Sequence, residues 1–494
     1  MNFNSVNFMF FFVIVLLLYY LFPVKYRYIV MLAAGYYFYL SWDIRNLFFL
    51  LPITVFSWLL GMYMQKIWLS DRSDAAKHKW EKLLLIFGIC GILGMLCVVK
   101  YLDFLVMNLN RVCSRAGYEI HFPDMNIILP VGISFFSFQI MGYLIDVYRQ
   151  NVTAERNVVR YALFCCFFPI INSGPIERAA SLLSQIHKDK KLCIENIRRG
   201  LLHIAWGLFL KLVIADPLVP VINFVMEDYS NWKGCEIVVA VCLFGIRIYC
   251  DFYGYSSMAW GVAESFGYRV TDNFRSPYLS QNPGEFWRRW HISLTSWFRD
   301  YLYIPLGGNR KGELRTYMNI LIVFTLSGLW HGAGINYMVW GLLNGIGLVC
   351  YNFYKKHLPR QHISQNPVGS KIVNCGLTFL FINITWFFFM TTDMEKAVDI
   401  IIHVVHNFHF EAMLSGAFTS MFGGKQEVFW FLISLSVLLI VDICRFKKID
   451  CYKLISEQSL LVRWGVYLFL VFSVLILGTY GDAYEQSRFI YFDF

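Results

Sequence analysis

Two histidines set among apolar and aromatic residues are best placed in this chain to do chemistry. His331 follows the run MNILIVFTLSGLW (318–330), with glycines at 328, 332 and 334 around it. A histidine near a membrane interior is costly and needs a reason. It titrates near neutral pH, so it can take a proton from a hydroxyl as a general base. Its small neighbours let another backbone or a ligand come close. A histidine bonding a neighbouring helix fits the same residues, and the run alone leaves both readings open. His291 lies in EFWRRWHISLTSWFRDYLYIPLGG (285–308). Read as one helix, Trp287, His291, Leu294, Phe298 and Tyr301 form a single stripe, with Arg288, Arg289 and Arg299 off it. An interfacial amphipathic helix would give the same pattern. His403, His406 and His409, with Glu411 nearby, are spaced for a helical face but lack a fourth firm ligand, so no metal is assigned. Gln139, Asp146, Lys211, Asp216, Arg247 and Asp251 interrupt apolar runs; Arg247 and Asp251, four apart, are expected to pair on one helix.

These residues must be positioned by elements suited to lipid. Of 494 residues 57% are hydrophobic and 15% charged, and the mean hydropathy is +0.51. A soluble domain carries about 25% charge. Long apolar runs without strict alternation select helices over a closed barrel. Twelve spans are expected, near 8–22, 28–41, 47–66, 83–102, 127–148, 200–222, 238–256, 317–333, 336–354, 372–391, 428–444 and 464–481. The fold class is therefore an all-α polytopic membrane protein with about 11–13 transmembrane helices. The first run has neither a basic lead nor a small-x-small site, and reads as a retained helix. The 13 cysteines lie mostly in apolar runs with no C-x-x-C, as small buried hydrophobes do.

The net charge of +10 does not point to nucleic acid, because the basic residues sit in short loops between apolar runs. Lys25 and Arg27, Arg72 to Lys82, Arg149 to Arg199, Lys355 to Lys371 and Arg445 to Lys453 fall on one side if the N-terminus is outside. Glu227, Asp228, Glu236, Asp393, Glu395 and Glu427 fall on the other. Two segments do not fit simple spanning. Residues 161–176 are apolar but broken by Pro169, Gly174 and Pro175, and look re-entrant; residues 273–315 are too charged to span and too aromatic for an ordinary loop. Such structure at membrane depth survives where it is buried or lines a cavity, so it should build the working site. One membrane domain, 1–494, is expected, with a core near 130–350 and flanking helices in 1–129 and 351–494.

The ordered motifs resemble the membrane-bound O-acyltransferase family, in its bacterial branch typified by alginate O-acetylases. They are PVGISFFSFQIMGYLIDVYR (130–149), FFPIINSGPIER (167–178), DFYGYSSMAWGVAESFGY (251–268), NFRSPYLSQNPGEFWRRWHISLTSWFRDYLYIPLGGNRKG (273–312), LSGLWHGAG (326–334) and RFIYFDF (488–494). The resemblance is densest over 130–347. It implies a ring of helices with re-entrant segments around a thinned centre and a funnel or tunnel. It implies an O-acyltransferase that moves an acyl group, acetyl in this branch, from a cytoplasmic thioester to an exported polysaccharide or cell-wall polymer.

By this resemblance His331 and His291 carry the catalytic positions, with His331 as general base. Trp330, Trp287, Arg288, Arg289, Trp290, Arg299, Asp300, Tyr301 and Asn282 carry the substrate-binding surface, and Arg310 and Lys311 are further candidates for phosphate contact. No bound cofactor is expected; acetyl-CoA or another acyl thioester is the donor substrate. The expected setting is the bacterial cytoplasmic membrane, with membrane lipid, a polysaccharide acceptor and an extracytoplasmic partner of the SGNH or serine-hydrolase type. No G-x-S-x-G element and no outside loop long enough to fold such a domain appear here, so the partner is expected to be separate. Two other readings remain: D-alanyl transfer from a carrier protein to teichoic acid, and a transporter without chemistry of its own. The sequence has no internal repeat of the kind many transporters show.

Overall fold

A computed structural model describes residues 1–118, 122–123, 127, 129–357, 367–391, 393–414 and 416–480. Arg360 and the motif 488–494 lie outside these residues. Among the described residues every regular element is a helix. The chain is an all-α polytopic membrane protein, with helix in each of the twelve expected spans. Among the described residues six helices are long and apolar enough to cross a bilayer by themselves: Ile44–Trp68, Asp74–Arg115, Ile194–Glu227, Val368–Met390, Lys425–Phe446 and Leu460–Leu477. Val6–Leu21 and Ile133–Tyr148 are apolar but shorter. Burial separates their surroundings. The apolar stretch of Ile194–Glu227 is 78% buried and that of Leu460–Leu477 only 11%, so the second offers its side chains to lipid.

Two stretches read as loops are helical. Asp74–Arg115 begins well before the apolar run, because DAAKHKWEK is built from good helix formers. Its 42 residues extend about 63 Å, roughly twice the hydrocarbon thickness. Met394–His406 is the other, started by Asp393, whose side chain accepts from the Lys396 N–H at 2.8 Å.

The chain forms two compact units, Met1–Leu201 with Ala259–Thr271, and Leu202–Met258 with Asp272–Phe494. In the first, residues 161–177 are buried throughout. The helix Val158–Cys165 is about 12 Å long and does not span; the chain then turns at 166–174. Its polar backbone is met internally. Gln139 donates to the Phe164 carbonyl at 2.6 Å, and the Gly174 N–H donates to Ile170 O at 3.0 Å.

In the second unit, Lys211 sits in a wide helical turn, Phe209–Ala215, and bridges Asp216 and Asp251 at 2.8 Å each. Asp251 thus takes its cation from a different helix, where spacing had offered Arg247. Loops that the charge pattern puts on one side meet each other. Glu313 binds Lys356 at 2.7 Å and Asp272 binds Arg445 at 2.7 Å. On the opposite side the Gly234 N–H donates to Asn407 O at 2.9 Å, and His403 donates to Trp232 O at 2.9 Å.

Candidate active site

The segment carrying His291 is not one helix. It divides into Pro283–Arg289, Ile292–Phe298 and a wide turn at Arg299–Tyr303. Pro283 opens the first piece, where its missing N–H costs nothing. Asn282 caps it, accepting from the Glu285 N–H at 2.8 Å. The break falls at His291, whose φ of 42° and ψ of 56° lie in the left-handed region. That conformation is uncommon for a residue other than glycine, and persists where the surroundings over-determine it. Asn273 supplies the determination. Its carbonyl accepts from Ile292 N–H at 3.1 Å and its side-chain oxygen from Ser293 N–H at 3.1 Å, holding the start of the second piece. The single aromatic stripe expected for a continuous helix is therefore replaced by two short helices, with Trp287, Trp290, Leu294, Trp297 and Phe298 all buried.

His291 is 1% exposed. The Phe252 ring meets it edge-on at 4.7 Å, and Trp330 lies at 6.3 Å. This segment lies outside the spanning helices, and burial pushes the imidazole down to about 3. His291 is thus neutral at physiological pH, fit to orient a group by hydrogen bonding and unfit to act as a cation.

His331 is the last residue of the helix Glu313–His331 and is 4% exposed. Three aromatic rings surround it: Trp330 at 4.8 Å, Trp340 at 5.0 Å and Phe389 at 5.4 Å. The helix folds back against Ile335–His357, and glycines set how closely. A Cβ on Gly328 would stand 2.2 Å from Tyr337 O, and one on Gly341 2.3 Å from Phe324 O. The glycines after the histidine serve the same hairpin. The Tyr337 ring fills the space beside Gly332, where a Cβ would stand 2.2 Å from it, and Asn336 fills that beside Gly334. Of the two uses the sequence offered for these small residues, another backbone or a ligand, the hairpin's own backbone and side chains occupy the space beside them.

Among the described residues of this unit, a pair of cavities adjoins the segment that carries His291. One, of 440 Å³, is lined by Trp287, Arg288, Leu294, Phe298, Arg299, Phe324, Ser327 and Lys355. His331 and the rings around it are not among its lining residues; Ser327, which lines it, is one helical turn before the histidine, and Trp287, which also lines it, is 5.8 Å from Trp340. Its other lining residues supply three cations. The second, of 660 Å³, lies beside Asp272, Arg275, Glu285, Arg288, Arg289, Arg445 and Lys448.

The structure thus brings His331, Trp330 and His291 together, and puts Trp287, Arg288 and Arg299 on one cavity and Arg288 and Arg289 on the other. Trp290 packs in the core, 5.0 Å from Phe274 and 5.1 Å from Trp386. Asp300 pairs with Arg299 at 2.8 Å, and Tyr301 packs 5.2 Å from Trp297. Arg310 and Lys311 are exposed and line neither cavity. His406 turns a ring nitrogen to the Ile402 carbonyl at 2.8 Å. Sequence reasoning missed Ser327, Trp340 and Phe389. Ser327 was legible as the residue one turn before His331; Phe389 comes from a helix remote in sequence and had no signal.

Residues 36–392 match the family model for MBOAT, the membrane-bound O-acyltransferase family. The chain is 35% identical over 403 residues to a protein named "Probable alginate O-acetylase" of Pseudomonas syringae pv. tomato, covering 80% of this chain and 74% of that one. It is 33% identical over 398 residues to a peptidoglycan O-acetyltransferase of Helicobacter pylori, covering 75% and 72%. With a teichoic acid D-alanyltransferase of Bacillus subtilis it shares 26% over 278 residues, covering 54% and 70%. Matched by the family model over most of its length and 35% identical to a relative it covers by 74%, this chain belongs to the membrane-bound O-acyltransferase family and is an O-acyltransferase enzyme.

Proposed function

We propose that this protein takes an acetyl group from a cytoplasmic thioester donor, acetyl-CoA, and passes it across the membrane for O-acetylation of an exported polysaccharide or cell-wall polymer. The observation that carries this reading is the enclosure of His331 by Trp330, Trp340 and Phe389, one turn from a serine that lines a cavity with cations on its wall. The names of the alginate and peptidoglycan O-acetylating relatives support the polymer class.

In the reaction, a nitrogen of His331 accepts the proton of an acceptor hydroxyl. The freed oxygen pair attacks the thioester carbonyl carbon, the C–S bond breaks, and the thiolate leaves and recovers the proton from the imidazolium. An apolar aromatic enclosure excludes water, which would otherwise hydrolyse the thioester. His291, neutral and buried, orients one of the reactants. The basic loops support a cytoplasmic side formed by 273–315, 355–371 and 445–453, with the N-terminus outside. A separate extracytoplasmic acyltransferase of the serine-hydrolase type completes transfer to the polymer.

The test is transfer of labelled acetyl from acetyl-CoA by the purified protein in lipid, wild type beside His331→Ala. Label moved by the wild type and retained by the variant's donor supports both assignments. A variant with wild-type turnover would remove His331 as the base. A wild type that refuses acetyl-CoA and accepts D-alanine from a charged carrier protein would move the chain to the other reading, to which the Bacillus relative's name belongs.

A further inference from the structure

Residues 272–276, which lead into the segment carrying His291, form no regular element, and their partners alternate. The odd-numbered residues hold the break at His291. Asn273 accepts from the N–H groups of Ile292 and Ser293 at 3.1 Å each, and the Arg275 N–H donates to Arg289 O at 3.0 Å. The even-numbered residues hold the last turns of the helix Lys425–Phe446. Arg445 donates to the Asp272 carboxylate and to the Phe274 carbonyl at 2.7 Å each, and the Ser276 hydroxyl donates to the Asp442 carbonyl at 2.8 Å. Successive residues of an extended chain point to opposite sides, so one short stretch can be tied on both.

Asp442 anchors this arrangement. It is 3% exposed, in a helix long and apolar enough to span, where a carboxyl is costly and is retained for a purpose. Its side chain accepts from the Tyr249 hydroxyl, at 3.0 Å to each oxygen, and from the Ser276 hydroxyl at 3.3 Å. Tyr249 carries the constraint to both strands of the break. Its ring lies 5.8 Å from Phe274 and 6.0 Å from Trp290, the residue before His291. Ser276 is buried, with φ 51° and ψ 59°. Two left-handed residues other than glycine, Ser276 and His291, thus bracket this segment, and such conformations persist where the surroundings over-determine them. Asp442 lies beyond residues 36–392, the part matched by the family model.

We propose that Asp442 is a positioning residue for His291, acting through Tyr249, Ser276 and the stretch 272–276. The inference rests on the reading of His291 as a residue that orients a reactant.

Two measurements on the full chain in nanodiscs test it. The first is hydrogen exchange, which needs no turnover. In Asp442→Leu the amides of 286–298 should exchange about tenfold faster, as loss of a buried hydrogen bond implies, while those of the helix Glu313–His331 keep their wild-type rates. Unchanged exchange in 286–298, or an equal rise in both segments, overturns the proposal. The second is acetyl transfer from acetyl-CoA. Asp442→Leu should lower kcat about tenfold and leave KM for the donor unchanged. Asp442→Asn keeps an acceptor oxygen for Tyr249 and should restore most of kcat. Faster local exchange with unchanged kcat overturns the proposal, and so does a loss that Asp442→Asn shares in full. If wild type takes D-alanine from a charged carrier instead, kcat is read on that donor. Should Asp442→Leu not fold, Tyr249→Phe and Ser276→Ala release the same contacts from their other ends, and the same outcomes decide. His291→Ala separates the inference from the reading beneath it. Wild-type turnover in that variant removes His291 from the reaction, and faster local exchange in Asp442→Leu would then show the tie without the role.

Discussion

The rings of His331 and Trp340 meet edge to face, with centroids 5.0 Å apart and planes at 87°. Trp340 in turn stacks on Trp386 at 5.5 Å and 22°, so the ring that borders the histidine is itself held flat. The imidazole is set by packing on several sides, and its removal should cost chemistry far more than stability. His331→Ala is expected to lower kcat by about 10²–10⁴ with little change in melting temperature. Trp340→Leu should lower kcat by a smaller factor through loss of orientation. Single-turnover acetyl transfer and thermal melting in detergent measure both.

His291 makes stability depend on pH in a defined direction. Its folded value is near 3, against about 6.5 for an unfolded chain. As pH falls below 6.5 the unfolded chain takes up this proton and the folded one does not. Stability from this site is therefore intact above pH 6.5 and is lost by up to about 1.4 kcal/mol per unit below it. His291→Asn removes the titrating group. The variant's melting temperature should fall less steeply than wild type's between pH 7 and 5; parallel slopes would contradict the assignment.

Gly328 sets the approach of the hairpin that carries His331, because a Cβ there would lie 2.2 Å from Tyr337 O. Gly328→Ala must push the two helices apart. A displacement near 1 Å at a reacting group can cost about 10² in rate. We expect kcat to fall by about that factor, with the protein still extractable and helical by circular dichroism. Unchanged kcat would mean that the hairpin relaxes elsewhere.

Lys211 neutralises Asp216 and Asp251 in a buried site, with side-chain exposures of 6% and 2% at its bridges. Lys211→Met leaves two carboxylates without that cation, and breaking such a buried pair costs roughly 3–5 kcal/mol. The variant should melt far below wild type. The triple change Lys211→Met, Asp216→Asn, Asp251→Asn should recover most of the loss, because no unpaired charge is then buried. Detergent melts of the three proteins compare the two costs directly.

Much of the helical framework was legible because its signal is local. A run such as 428–444 is apolar for long enough that only helix satisfies its backbone in lipid. The two places where the reading fell short have one cause. DAAKHKWEK and 394–406 carry charge, so hydropathy ends before the helix does, although helix propensity and the Asp393 cap were there to be read. At the site, His331 stood out as an isolated polar residue at the end of an apolar run. The break at His291 did not, since WRRWHISL has no glycine or proline to mark it.

By itself, then, the sequence determined the helical class and the placement of basic loops between apolar runs, and offered His331 and His291 as candidates, because apolar length, charge placement and motif are properties of neighbouring residues. Tertiary structure alone decided how they are used. Asn273, eighteen residues before His291, forces its left-handed backbone; Phe389, 58 residues after His331, closes its enclosure; Lys211 reaches Asp251 across helices. Those contacts depend on which helix faces pack together. That choice is made by shape and burial over the whole fold, and no local pattern records it.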